Sequence, residues 1–303
     1  MRLKEVGTLK IGFVGLGIMG RPMAMNLLRS GHELYVNDLN PQAVQAVCAH
    51  GAKAADQMQI AQCCEAVFTI LPNGNAVHQV LLGENGMLSH MASDTLAVDM
   101  SSITPEEARA CHRFAGECGV HFLDAPVSGG EPKAVDGTLA FMVGGTQKAF
   151  EAAKPLLGHM GTSITLVGEG GAGCVTKLAN QVIVNVITIA AISEALVLAT
   201  KAGADPKKVY HAIRGGLAGS TVLDAKVPMM LKRNFKPGGK LSINMKDMKN
   251  VLATAHQIDV HLPMSAGLYE IMTGLKNMGL LENDHSGIVR YYERLANVEV
   301  CSV

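Results

Sequence analysis

The sequence contains no tryptophan, and aromatic residues make up only 4% of it. That scarcity points to an interior filled by Ala, Val, Ile and Leu and away from an aromatic binding surface. An excess of either charge is also missing. Lys plus Arg and Asp plus Glu each number 26, so there is no basic field to draw in nucleic acid or an anionic membrane. The seven cysteines (Cys48, Cys63, Cys64, Cys111, Cys118, Cys174 and Cys301) are odd in number and show no CxxC spacing. This argues against a disulfide framework and a zinc site and in favour of a reducing compartment. Cys63 and Cys64 are expected as small buried hydrophobes. No HExxH spacing occurs among the histidines, and no metal is expected. The first residues, MRLKEVGTLK, are basic but lack an apolar core of signal-peptide length, so a cytoplasmic location is expected. Asp284, His285 and Ser286 share the letters of a hydrolytic triad, but adjacent residues cannot form its relay, and they read as a helix start.

What is present is a rhythm. With 303 residues, two domains are expected. From Lys10 onward, short β-branched runs alternate with helical stretches: KIGFVG, a helix to Ser30, ELYVN, a helix from Pro41, AVFTIL, another helix, then TLAVDM. Such alternation predicts a parallel, doubly wound α/β sheet. Gly31 and Gly51 stand where left-handed helix caps are wanted, and Pro41 and Pro105 where helices begin. VHFLDAPV, LAFMVGG and SITLVG continue the strand pattern, which stops after 168-GEGGAG-173. A Rossmann-type domain over 1–171 and an all-α domain over 172–303 follow from this, the second opening with a long helix from about Cys174 to Ala202 that Gly203 ends. The run from Val182 to Ala199 is nearly apolar enough for a membrane, but Asn185, Ser193 and Glu194 interrupt it. It is expected as a buried interdomain helix, covered by its own domain and by a second subunit in a homodimer or homotetramer.

Gly15, Gly17 and Gly20 form G-L-G-I-M-G directly after the apolar strand 11-IGFV-14 and before a helix. In that context the first glycine permits a tight turn, the second lets the backbone approach a pyrophosphate, and the third lets helix and strand pack closely. Ile18 and Met19 complete the turn, and helix amides face the phosphates. A glycine-rich turn without a ligand is the alternative. Asn37 and Asp38 end the next strand, where a carboxylate can accept from ribose hydroxyls and repel a 2′-phosphate. NAD(H) is therefore favoured, with NADP(H) left open by Asn40 and Arg21. A turn-capping role before Pro41 is the other reading of Asp38.

Two more segments carry chemistry. In 124-DAPVSGGEPKAVDGTLAFMVGG-145, a strand ends in Ser128, Gly129 and Gly130, whose consecutive amides can receive a carboxylate or can form a plain loop. In 173-GCVTKLANQ-181, Lys177, Asn180 and Gln181 share one helical face among apolar neighbours. Partial desolvation lowers an ammonium pKa from roughly 10.4 toward working pH, as acid/base chemistry requires. A lysine whose stem merely reaches solvent is the rival reading.

These segments, together with 244-NMKDMKNVL-252, resemble the four ordered signatures of the β-hydroxyacid dehydrogenase family, over nearly the whole chain from Lys10. The resemblance implies reduction of a small carboxylate-bearing aldehyde, or oxidation of a 3-hydroxy acid, with a nicotinamide cofactor. It makes Lys177 the catalytic lysine and Ser128, Gly129, Gly130, Asn180, Gln181 and Asp247 substrate residues. Cofactor contacts fall on Leu71, Pro72 and Asn73, on Ser102, and on Lys246 beside the nicotinamide. The chain departs from relatives at Leu39, where an arginine is frequent, and at Gly239, where an aromatic residue is frequent. A catalytically idle dinucleotide-binding scaffold is the rival from another class.

Overall fold

The computed structural model describes residues 7–301, the side chains of Val186 and Ile187 apart. The chain divides into Met1–Lys177 and Leu178–Val303.

The first unit is built on one sheet. Its strands are β1 (Lys10–Val14), β2 (Glu33–Asn37), β3 (Lys53–Ala54), β4 (Ala66–Thr69), β5 (Leu96–Asp99), β6 (His121–Asp124), β7 (Val127–Ser128), β8 (Leu139–Gly144) and β9 (Gly161–Gly168). They lie in the order β3-β2-β1-β4-β5-β6-β8-β7, with β9 against β8. β1 to β6 are parallel, and the order reverses between β1 and β4, where open sheets of this kind take ligands beyond the strand ends. Helices cover both faces, which is why β4 and β5 are buried without alternation. Phe13, Phe68 and Val98 pack with Met23 and Leu27 on one face; Val14, Val67 and Ala97 pack with Ile60, Val77 and Ala108 on the other.

Local chemistry sets the helix starts. Thr104 and Glu107 cap each other reciprocally ahead of Pro105–Glu117, and Asn40 accepts from Gln42 N ahead of Pro41–Cys48. Gly31 and Gly51 hold φ of 86° and 108°, as left-handed caps require. Cys64 is buried and Cys63 half-buried.

The run VHFLDAPV differs from its expected form. It breaks at Ala125–Pro126 into β6 and β7, and β8 returns antiparallel to both. Proline has no amide to give a ladder. The seven-residue helix Gly130–Asp136 that joins β7 to β8 is also too short for a parallel crossover.

The helical run Ala172–Lys201 belongs to the second unit from Leu178 and continues past Gln181 as a π-helix, Val182–Ala190, and an α-helix, Ala191–Lys201. Gly203 ends it at φ 86°. By length and composition this run could cross a membrane, yet Leu178, Ile189, Ile192, Leu196 and Val197 are buried with Val227, Leu241, Met248 and Met272 in the unit's own core. The division after Lys177 lies beyond the expected 171/172 boundary because the helix start is tied into the first unit. Gly171 N and Cys174 N both donate to the Asp124 carboxylate.

Asp284 anchors the second unit. Its buried carboxylate accepts from Lys226 Nζ at 3.0 and 3.1 Å, from Gly238 N and Gly239 N at 3.1 Å, and from Ser286 N at 3.0 Å. It also caps the short helix His285–Ile288, in keeping with the helix-start reading. Burial pushes this carboxyl up, but His285 and Lys226 outweigh burial and hold it below the ordinary value. Lys226→Ala strands that charge, so a loss of about 3–5 kcal/mol is expected in urea unfolding at neutral pH; an unchanged midpoint would contradict the anchoring role.

Candidate active site

β1 delivers the chain into the turn Gly15–Gly20. Gly15 holds φ 98°, and a Cβ there would stand 2.2 Å from Ile70 O; one at Gly20 would stand 2.0 Å from Gly15 O. The backbone therefore dictates these two glycines. Gly17 is exposed, its φ is unexceptional and a Cβ would meet nothing within 4 Å. The packing of the described residues does not require glycine there, and the open space leaves room for the close approach that a pyrophosphate needs. Ile18 is 40% exposed, and half-buried Met19 leads into the helix Gly20–Arg29.

Asn37 and Asp38 hold this turn from β2. Asn37 O accepts from Gly15 N at 2.9 Å, and its Nδ2 donates to Ala55 O at 2.8 Å. Asp38 Oδ2 accepts from Leu16 N at 2.6 Å and Oδ1 from Asn40 N at 2.7 Å. The carboxylate thus braces the glycine turn and caps the turn before Pro41 at once. Leu39 beside it is exposed.

Three further residues stand in a row at the ends of adjacent strands. Thr69 of β4 is the register partner of Asp99 of β5, and Asp99 that of Asp124 of β6. All three are buried. Asp99 Oδ1 accepts from Thr69 Oγ1 at 2.7 Å and from Ser101 Oγ at 2.6 Å. Ser101 Oγ in turn accepts from Leu71 N at 2.8 Å. The loop Leu71, Pro72 and Asn73 is so fixed to the loop after β5, and Asn73 caps the helix Gly74–Leu81 by accepting from Ala76 N at 2.9 Å. Ser101 makes this link, and Ser102, expected as a cofactor contact, is half-buried beside it. Burial pushes the Asp99 carboxyl up to about 6, against the hydrogen bonds from Ser101 and Thr69 and with the neighbouring Asp124 charge.

Lys177 is half-buried, and its Nζ donates to Val127 O at 2.8 Å. The ammonium therefore lies at the start of β7, next to Ser128, Gly129 and Gly130. Gly129 and Gly130 hold φ of 143° and 70°, and a Cβ at Gly129 would come within 2.8 Å of Lys133. Both glycines are accounted for by the backbone, and a carboxylate-receiving role is additional to that requirement.

Within the second unit the other expected residues come together. Asn180 Nδ2 donates to Gln181 Oε1 at 2.8 Å, and Gln181 Nε2 to Asp247 Oδ2 at 2.6 Å. Lys246 Nζ stands 3.1 Å from Asp247 Oδ1. Gly239 gives its amide to Asp284, and its open side faces His285, whose Nε2 would be 3.9 Å from a Cβ.

Sequence reasoning left Thr69, Asp99, Ser101, His112, Asp124 and Val127 without a role. The only available signal was a polar residue ending each of three apolar strands: Thr69, Asp99 and Asp124.

A family model described as the NAD binding domain of 6-phosphogluconate dehydrogenase matches residues 10–168. A second, described as the NAD-binding domain of NADP-dependent 3-hydroxyisobutyrate dehydrogenase, matches residues 171–292. The chain is 42% identical to 2-hydroxy-3-oxopropionate reductase of Escherichia coli (strain K12), over 95% of this chain and 99% of that one. It is 37% identical to 2-(hydroxymethyl)glutarate dehydrogenase of Eubacterium barkeri, over 97% and 98%. Among solved structures, 3-hydroxyisobutyrate dehydrogenase of Mycobacterium tuberculosis with L-serine superposes with a TM-score of 0.86 at 29% identity, over 94% of this chain and 99% of that one.

Two outcomes follow from the geometry. Gly17→Ala is expected to keep wild-type stability while weakening NADH binding about tenfold, the effect of roughly 1.4 kcal/mol of overpacking. Gly20→Ala is expected to lose about 1–3 kcal/mol of stability; equal effects of the two substitutions on unfolding would contradict the distinction. For Asp99, the folded-state value of about 6 lies above the usual carboxylate value of roughly 3.9. The folded protein thus holds a proton that the unfolded chain has released, and this group's favourable contribution is lost as pH rises through about 6. Between pH 5 and pH 7, Asp99→Asn should remove about 1 kcal/mol of that decline. Parallel stability–pH curves for the two proteins would contradict it.

Proposed function

The chain belongs to the β-hydroxyacid dehydrogenase family, and on that premise we propose that it reduces 2-hydroxy-3-oxopropionate (tartronate semialdehyde) to D-glycerate with Lys177 as the proton donor. The observation that carries the reading is the hydrogen bond from Lys177 Nζ to Val127 O, 2.8 Å long, which holds an ammonium beside Ser128 at the carboxyl end of the sheet. The full-length match to the Escherichia coli reductase supports the choice of substrate.

Gly15, Gly17, Ile18, Met19 and Gly20 receive the pyrophosphate, and Asn37 and Asp38 the adenosine ribose. Each carboxylate oxygen of Asp38 accepts from one backbone amide and has a second lone pair to offer a ribose hydroxyl. Its negative charge disfavours a 2′-phosphate, and exposed Leu39 supplies no cation to offset it, so NADH is preferred over NADPH. Leu71, Pro72, Asn73 and Ser102 line the same end of the sheet, and the family resemblance assigns Lys246 to the nicotinamide side.

When bound, the reduced nicotinamide supplies the hydride. Lys177 protonates the aldehyde oxygen as negative charge develops there, and Val127 O aims the ammonium. Ser128 with the Gly129 and Gly130 amides receives the substrate carboxylate. Asn180, Gln181 and Asp247 are assigned to the substrate by resemblance, with Asp247 holding Gln181 in place. The exposure of Ile183 and Leu198 on the long helix, 57% and 71%, supports subunit association through it.

Lys177→Ala removes a general acid worth about 10²- to 10⁴-fold, so turnover should fall at least about a hundredfold while NADH still binds. Turnover near wild type would refute the lysine's role. Oxidation of NADH and NADPH with tartronate semialdehyde, methylmalonate semialdehyde and succinic semialdehyde tests the substrate: tartronate semialdehyde with NADH should give the highest kcat/KM. A preference for methylmalonate semialdehyde would transfer the assignment to 3-hydroxyisobutyrate chemistry. No oxidation with any of them, despite NADH binding, would favour the scaffold.

A further inference from the structure

We propose that Asp99 and Asp124 are separate positioning residues, Asp99 for the loops assigned to the cofactor and Asp124 for the helix that carries Lys177. The Asp124 half rests on the assignment of Lys177 above, and the Asp99 half on that of the 71–73 loop.

The two carboxylates are register partners at the ends of β5 and β6, 1% and 0% exposed. Burying one carboxylate is costly and burying two side by side more so, and the strands would pair equally well with apolar residues at these positions. Neither side chain is exposed to touch substrate or cofactor, so each acts through what it holds.

Their donor sets do not overlap. Asp99 collects the hydroxyls of Thr69 and Ser101 on Oδ1, and Ser101 passes the connection to the Leu71 amide. Asp99 Oδ2 is buried with no hydrogen-bond partner among the described residues. A single oxygen therefore fixes the loops after β4 and β5 to each other. Asp124 collects different donors. Its Oδ1 accepts from His112 Nε2 and Gly171 N at 2.8 Å, and its Oδ2 from Cys174 N at 2.9 Å. These amides belong to the start of the helix Ala172–Gln181, one turn before Lys177. Val127, three residues after Asp124, accepts from the Lys177 ammonium. The segment 124-DAPV-127 thus grips the helix twice, by a carboxylate at its first turn and by a carbonyl at its lysine. Loss of the first grip lets the helix start shift against the second, and misplacement by about 1 Å can cost a hundredfold in rate.

The test reads binding and turnover separately in the full-length protein: the NADH dissociation constant by fluorescence titration, and kcat with tartronate semialdehyde at saturating NADH. Asp99→Asn is expected to raise the dissociation constant about tenfold, the effect of losing one hydrogen bond to a charged group, and to leave kcat within about twofold. Asp124→Asn turns an amide donor toward a backbone donor; kcat is expected to fall about 10- to 100-fold with the dissociation constant within about twofold. Ser101→Ala should follow Asp99→Asn more weakly. His112→Phe, which keeps a ring against Phe122, should follow Asp124→Asn more weakly, and these two variants carry the test if the aspartate variants do not fold. Changes in both quantities in both variants, as general structural damage would give, overturn the proposal. With Lys177→Ala inactive, a normal kcat in Asp124→Asn and His112→Phe overturns the Asp124 half alone. With Lys177→Ala active, the lysine assignment fails and the Asp124 half with it. An unchanged dissociation constant in Asp99→Asn and Ser101→Ala overturns the Asp99 half.

Discussion

A carboxylate closed off from water has to be surrounded by donors, and the donors that Asp124 finds fix the start of the helix that carries Lys177, the proposed proton donor. Gly171 N and Cys174 N come from the first turn of the helix bearing Lys177, and His112 from the helix Pro105–Glu117. Gly173 belongs to the same constraint: a Cβ there would lie 2.4 Å from both Asp124 O and Met142 O. The helix start is therefore pressed against the ends of β6 and β8, and only glycine allows it. From that contact follow the place of Lys177 beside Val127 and the division of the chain after Lys177 rather than before the helix.

Much of the fold was legible because local backbone demands leave marks on a sequence. The β1 run and the turn glycines, the caps at Gly31 and Gly51 and the prolines at helix starts each answer a requirement met within a few residues. Strand direction at the sheet edge depends instead on connection length and on Pro126, so the antiparallel return of β8 could not be read from apolar periodicity. The row Thr69, Asp99 and Asp124 exists only after β4, β5 and β6 are in register, and no spacing in the sequence records that alignment. The same reason explains why the tie from Ser101 to Leu71 could not be read from the sequence.

The three glycines of the phosphate turn separate packing from function. Gly15 and Gly20 are required by close backbone contacts, whereas Gly17 has open space around it. Asp38 joins the two concerns, since the carboxylate proposed to receive a ribose also holds Leu16 N. Replacing it to admit a 2′-phosphate would loosen the turn itself, so the proposed cofactor preference and turn stability are coupled at this residue.

As the proposed proton donor, the Lys177 ammonium must be held where the substrate oxygen reacts. A crystal structure of the protein with NAD and D-glycerate measures this most directly. The account predicts Lys177 Nζ within about 3 Å of the reacting hydroxyl oxygen, a normal hydrogen-bond distance, with Val127 O still its partner. An Nζ turned to solvent, with some other group on that oxygen, would contradict it.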